Sequence, residues 1–359
     1  MAINGLRKKV NEVNTLFKNA IEGIPQKTPP IWFMRQAGRY HHHYQNLRAQ
    51  HTFEQLCRQP ELAAQVALGP VLDFDYDVSI LFSDILFPLD GLGLQLSYSD
   101  AGPKLQKSLK EGFTIAPEAV EDSVQKALSE LNFQAQALKL TRQVLPASKS
   151  LIGFVGGVWT LFVYACEGGH AGAMTFPKDH FFRDQNFVQA LTQLIRGNIQ
   201  LQIEAGAEVV MIFDTAAGEV SHQFFKDHLQ KILIQWAHEF PNRLGYYSKG
   251  TQASFFSEEF IAAPWAGRGV DHRWNLPEML KEKNSKKGRG FLQGNFDQAL
   301  LFQETNRFEE NLKKYLQPFL NLTDADRTGW VCGLGHGVLP KTPEKHVHKM
   351  IEIIRKTFR

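Results

Sequence analysis

The chain has 359 residues, 43% hydrophobic and 21% charged, with a formal net charge of +3. This is the composition of an ordinary folded protein with one large domain or two smaller ones, and its charge is too small to imply a nucleic-acid partner. Cys57, Cys166 and Cys332 are far apart, odd in number and lack a CxxC spacing, a reduced, cytoplasmic pattern rather than a disulfide framework. Met1 to Gly23 does not read as a secretory leader, and no apolar stretch approaches the roughly 20 residues of a membrane span.

Residues 4–23 read as an amphipathic helix carrying Leu6, Val10, Val13, Leu16 and Phe17, ended by Pro25 and Pro29-Pro30. A first strand is expected at Ile31–Met34, followed at once by Arg35 and Arg39. Helical spacing would put both arginines on one side, with Gly38 between them permitting a backbone that a side chain would block. A helix follows over Pro60–Val71 and a strand over Val78–Phe82, which runs into Ser83-Asp84. Pro88–Phe113 is punctuated by Gly and Pro, as a loop with a possible hairpin. Residues 117–144 read as one long helix and Leu151–Val155 as a strand. The next segment, Gly156–Lys178, is glycine-rich and aromatic and reads as a loop containing Tyr164.

A helix over 186–205 leads to a strand at Val209–Phe213, then Asp214-Thr215. Further strands are expected at Leu244–Tyr247, Gly269–Asp271, Gly290–Gln293 and Trp330–Cys332, the last running into Gly335-His336-Gly337. Pro343–Phe358 is an amphipathic helix. The basic run Lys281–Arg289 reads as a solvated helix end. Eight apolar, non-alternating strands separated by helices suggest a parallel sheet buried on both faces. The fold class expected is α/β, a (β/α)8 TIM barrel. It forms one domain over 1–359 with an N-terminal helical extension at about 1–29. A doubly wound open sheet is the alternative. Arg35, Asp84, Thr215 and His336 each follow a strand, and a barrel would gather such positions at one mouth.

No dinucleotide fingerprint, P-loop, nucleophile elbow or HExxH helix is present. His41-His42-His43 is a weak metal signal, because adjacent side chains do not converge on one ion. Two guanidinium forks suit a ligand with several carboxylates or phosphates. Asp84 opposes them in charge, and Tyr164, Thr215 and His336 offer hydrogen bonds. Each has a plainer reading, such as a helix cap at Asp84 or Thr215, a packed aromatic at Tyr164, or a tight turn at His336.

Met34-Arg35-Gln36-Ala37-Gly38-Arg39-Tyr40 resembles the N-terminal signature of the uroporphyrinogen decarboxylase family. Ile80–Leu86, Trp159-Thr160-Leu161 with Tyr164, Ile212–Thr215, Gln293-Gly294-Asn295 and Gly335–Pro340 resemble later blocks of the same family, in the same order. The resemblance implies a barrel, working as a homodimer, that removes the four acetate carboxyls of uroporphyrinogen, an octa-acid, without metal or organic cofactor. It implies catalytic roles for Asp84, Arg35 and Tyr164. It implies substrate contacts from Arg35, Gln36, Ala37, Gly38, Arg39, Asp84, Tyr164, Thr215, His336, Phe154 and Phe213. Asp84 would accept the pyrrole N–H groups; Arg35 would deliver a proton or bind the departing carboxylate. His41–His43, Val158, Ala216, Gln298 and Gly333 depart from the family pattern. The alternatives are a cobamide-dependent methyltransferase of a sister group, whose zinc-binding His-x-Cys pair is missing here, and a tetrapyrrole carrier without turnover.

Overall fold

The computed structural model describes residues 14–99, 102–169 and 173–359. Seven parallel strands pair in the order β1 (Val78–Ile80), β4 (Ser150–Gly156), β5 (Val209–Asp214), β6 (Leu244–Ser248), β7 (Gly267–Gly269), β8 (Phe291–Phe296) and β9 (Trp330–Leu334). A separate antiparallel hairpin, β2 (Leu96–Ser99) and β3 (Gly102–Leu105), lies inside the expected loop.

The sheet is curled, and the chain at Ile31 touches both of its edges. Ile31 forms a parallel bridge to Cys332 on β9. Trp32 N–H donates to Cys332 O at 3.1 Å, and Asp77 N–H donates to Ile31 O at 3.0 Å beside β1. Ile31–Met34, expected as a strand, makes this one bridge and no more. The reason lies in the next residue: Arg35 has φ +58° and turns the chain away. The gap to β1 is then filled by a side chain, Gln36 Nε2 donating to Val78 O at 3.1 Å.

Burial on both faces explains the unbroken apolar strands. On β5, Val209, Met211 and Phe213 enter the inner core, while Val210 and Ile212 pack under the surrounding helices. The helix Thr15–Glu22 plugs the N-terminal end of the sheet, with Phe17 against Phe291 at 5.4 Å between ring centres. Residues 4–13 of the expected first helix lie outside the described residues. Burying a side chain of that size contributes about 1.5–3 kcal/mol.

Two expectations are corrected in the helical layer. The helix expected over 117–144 is two, Val120–Glu130 and Asn132–Val144, broken at the buried Leu131. The glycine-rich segment after β4 is no loop at its centre: Val158–Glu167 is a helix, and Tyr164 sits on it. Its residues are poor helix formers by propensity, but eight of the ten are buried, so packing decides. Among the described residues, no helix is long and apolar enough to cross a membrane.

Candidate functional site

The arginine turn is not helical. Arg35 is an exposed residue in the left-handed region, at φ +58°. That conformation costs a residue with a Cβ about 1–2 kcal/mol, and such residues cluster at functional sites. Gly38 has no such angle, and an added Cβ there would meet only ordinary contacts, the nearest at 3.4 Å from Arg35 O. The special backbone therefore belongs to Arg35, not to Gly38. Across the mouth, Gly337 makes room for it: a Cβ there would lie 2.6 Å from Arg35 Cδ. Val338 N–H to Met34 O, at 2.9 Å, ties the two segments.

Asp84 follows β1 by four residues. Its carboxylate accepts the Leu86 N–H at 2.9 Å, an Asx-type turn. The Tyr98 hydroxyl of the hairpin faces the same carboxylate, outside normal hydrogen-bond geometry. The residue is half-buried, with part of its surface open to the mouth. Burial raises its pKa; the Leu86 N–H, Tyr98 and the charge of Arg35 pull the other way. Burial also raises the Tyr164 pKa, with the charge of Asp84 adding to it and Arg35 opposing.

His336 follows β9. Its Nδ1 accepts the Gly337 N–H at 2.7 Å, which fixes the neutral tautomer with the proton on Nε2. Its pKa is pushed down to about 4, first by burial and then by Arg35 and Lys249, with Asp271 opposing. At neutral pH the ring is therefore an uncharged donor. Gly335 and Gly337 beside it serve protein packing. A Cβ at Gly335 would lie 2.5 Å from His272 N, and one at Gly337 would strike Arg35.

An aromatic wall continues inward. Phe154 on β4 lies 5.7 Å from Phe213 on β5, Phe213 lies 6.1 Å from Tyr247 on β6, and Tyr247 lies 6.2 Å from His336, between ring centres. Thr215 is half-buried just past β5. The preceding Asp214 faces outward and is buried. It accepts from Thr160 Oγ1 at 2.6 Å, from Thr160 N–H at 3.2 Å and from Tyr246 Oη at 3.3 Å. That network fixes the strand end that carries Thr215.

Asp84, Tyr164 and His336 thus each come within electrostatic reach of Arg35, and Asp84 and Tyr164 of each other. The other expected residues are placed differently. Arg39 is exposed, and its charge acts on Tyr44. Gln36 is 1% exposed, with Nε2 on Val78 and Oε1 without a partner among the described residues. Ala37 and Gly38 are half-buried in the turn. Tyr98, Tyr247 and Lys249 are additions that sequence reasoning missed; Lys249 alone had a legible signal, a lysine one residue past a strand.

The histidine run does not converge. His41 is fully buried, with Nε2 2.8 Å from Asp73 Oδ2 and 3.9 Å from Glu344 Oε1. His42 N–H donates to Glu344 Oε2 at 3.0 Å, and His43 Nε2 lies 3.1 Å from Gln65 O. The run fastens the arginine turn to the C-terminal helix Glu344–Thr357. No three His, Cys, Asp or Glu groups among the described residues converge to hold a metal ion.

Comparison with known proteins gives a consistent result. The family model for uroporphyrinogen decarboxylase matches residues 12–357. A uroporphyrinogen decarboxylase from Chloroherpeton thalassium is 32% identical over 96% of this chain and 97% of its own. One from Idiomarina loihiensis is 34% identical, covering 96% of each. Among solved structures, a methyltransferase from Methanosarcina mazei superposes with a TM-score of 0.72, covering 97% of this chain and 100% of its own at 18% identity. That last likeness speaks for the fold alone.

Proposed function

The chain belongs to the uroporphyrinogen decarboxylase family, and we propose that it decarboxylates the four acetate arms of uroporphyrinogen III to give coproporphyrinogen III in haem and porphyrin biosynthesis. The reading extends to the finer architecture. The sheet closes into a (β/α)8 barrel through the Ile31 segment, one domain spans 1–359, and the enzyme works as a homodimer in the cytoplasm. The hydrogen bonds from the Ile31 segment toward both sheet edges support the closure. Three free, buried cysteines suit a reducing compartment.

The observation that carries the chemistry is a half-buried aspartate, Asp84, oriented by one hydrogen bond of normal geometry and within the field of an arginine held in a left-handed turn. Loss of CO2 from an acetate arm leaves an electron pair that needs a sink. Protonation of the adjacent pyrrole carbon makes a cation that accepts it. The Asp84 carboxylate, half-buried and already oriented by Leu86, accepts pyrrole N–H groups and stabilises that cation as it forms. No metal or organic cofactor enters this scheme. A guanidinium holds its protons too tightly to deliver one. Arg35 therefore binds and orients the carboxylate that leaves, and solvent supplies the proton. Tyr164 orients the reacting arm beside Asp84. His336 donates from Nε2 to a peripheral carboxylate, Thr215 and Arg39 hold others, and Gln36, Ala37 and Gly38 shape the turn. Phe154 and Phe213 pack against the macrocycle.

The test is turnover of uroporphyrinogen by purified protein without added metal or cofactor, with products separated by carboxyl number. Four-step conversion to the tetracarboxylate is expected. Failure to remove any carboxyl would overturn the reading.

A further inference from the structure

The mouth holds a second cationic group that the catalytic scheme does not use. Lys249 follows β6 and His272 and Arg273 follow β7; all three are exposed. The loops that carry them are built. Asp271, 2% exposed in its side chain, accepts Gly250 N–H at 2.8 Å and Arg273 Nη1 at 2.5 Å on one oxygen, and Arg273 N–H at 3.0 Å on the other. Asn295 at the end of β8 donates from Nδ2 to Asp271 O at 2.9 Å and to Trp274 O at 2.8 Å. Gly218 N–H donates to Lys249 O at 3.1 Å, and a Cβ at Gly218 would lie 2.5 Å from that oxygen. His272 N presses on Gly335, beside His336. Loops after β5, β6, β7 and β9 and the end of β8 are thus stitched together around these side chains. A buried carboxylate that orients an exposed guanidinium is the supporting arrangement a pre-organised anion site needs.

Their position relative to Asp84 follows from the strand order: β6 and β7 stand three and four places from β1, which Asp84 follows. Asp84 and Tyr164 feel Arg35. His336 feels Arg35, Lys249, Asp271 and His272, and Tyr247 feels Arg35, Asp271 and Arg273. Arg35 is felt by both sets, while Lys249 and Arg273 follow strands three and four places round the sheet from the strand that leads to Asp84.

We propose that Lys249 and Arg273, together with His272, form a second carboxylate-holding rim that grips a non-reacting arm of the tetrapyrrole while Asp84 and Arg35 act on another. This inference rests on the tetrapyrrole reading of the site. An octa-acid offers a carboxylate to this rim in every orientation it adopts over Asp84. The rim therefore adds binding that is equal in ground state and transition state, and its loss raises KM without lowering kcat.

The test uses full-length Lys249→Gln, Arg273→Gln and the double variant. Lys249 is exposed and its side chain makes no described hydrogen bond, so its removal leaves the fold intact. Arg273→Lys keeps the charge and serves as the conservative control. Uroporphyrinogen turnover gives KM and kcat, and fluorescence titration with uroporphyrin, the oxidised octacarboxylate, gives Kd without chemistry. The expected result is about a tenfold rise in KM and Kd for each Gln variant, more in the double variant, with kcat within about twofold and Arg273→Lys closer to wild type. Unchanged KM and Kd, or a loss confined to kcat, would overturn the rim. A wild type that binds uroporphyrin but removes no carboxyl would sink the decarboxylase reading alone, and the Kd series would still decide the rim. A wild type that neither binds nor reacts would overturn both.

Discussion

The two ends of the curled sheet carry buried charge in opposite ways. At the N-terminal end, Asp77 accepts the Ile31 N–H at 2.6 Å and Arg355 Nη2 at 2.7 Å. Asn14 Nδ2 donates to Asp77 O and to Ser150 Oγ, and Ser150 in turn donates to Glu208. At the C-terminal end, Asp84 receives one hydrogen bond of normal geometry and His336 is held neutral among cations. The first end is paired within the protein, apart from Arg355 Nε, which has no partner among the described residues. The second is left for a ligand to satisfy, which is the division expected of parallel barrels, with stability at the bottom and function at the top. Beside Asp84 the buried Tyr98 hydroxyl has no hydrogen-bond partner among the described residues; an unsatisfied buried group costs a protein stability, so its persistence at the mouth is a functional signal.

Substitutions at each end test this contrast. The largest effect is expected from Asp84→Asn, which removes the opposing charge; turnover should fall about a hundredfold or more, equivalent to about 3 kcal/mol of transition-state stabilisation. Next comes Arg355→Met at the opposite end. It strands a buried carboxylate, and removing one partner of such a pair costs about 3 kcal/mol of stability. Denaturant unfolding should show that loss while kcat stays within about twofold. A smaller effect is expected from Gly337→Ala, whose methyl group would push Arg35 off its seat. It should lower kcat/KM about tenfold, or roughly 1.4 kcal/mol, with little change in melting temperature.

The smallest effect is a pH dependence from His336. Its folded pKa, about 4, is below the ordinary 6.5, so the unfolded chain takes up the proton first. Stability from this group is full above pH 6.5 and falls as pH drops from there toward 4. At pH 6 the loss amounts to under about 1 kcal/mol. His336→Gln should flatten that part of the stability profile when melting is followed from pH 7.5 to 5.

Much of this was legible because strands buried on both faces leave apolar runs, and functional residues sit just beyond them. Val209–Phe213 and Asp84 were read that way. Ile31–Met34 was misread because its apolar residues pack like a strand while the left-handed Arg35 stops the ladder after one bridge. The helix at Val158–Glu167 was missed because its glycine flanks and β-branched and aromatic content mimic a loop, and only tertiary burial overrides them. Tyr98 and the Asp271 stitching were invisible, since both depend on contacts between distant loops. The buried role of His41 depends on Asp73 and Glu344, which are 32 and 303 positions away, and no spacing rule reaches that far.

The most direct test of the contrast measures rate and melting temperature on one preparation of Asp84→Asn at pH 7. A carboxyl whose pKa is raised by folding costs the fold stability once the pH passes its unfolded value near 3.8, and the full cost is reached above the folded value. Asparagine carries no charge and removes that cost. The account predicts uroporphyrinogen turnover down about a hundredfold or more, with a melting temperature equal to or above wild type. Near wild-type turnover, or a rate lost together with a lowered melting temperature, would contradict it and make Asp84 a structural residue like Asp77.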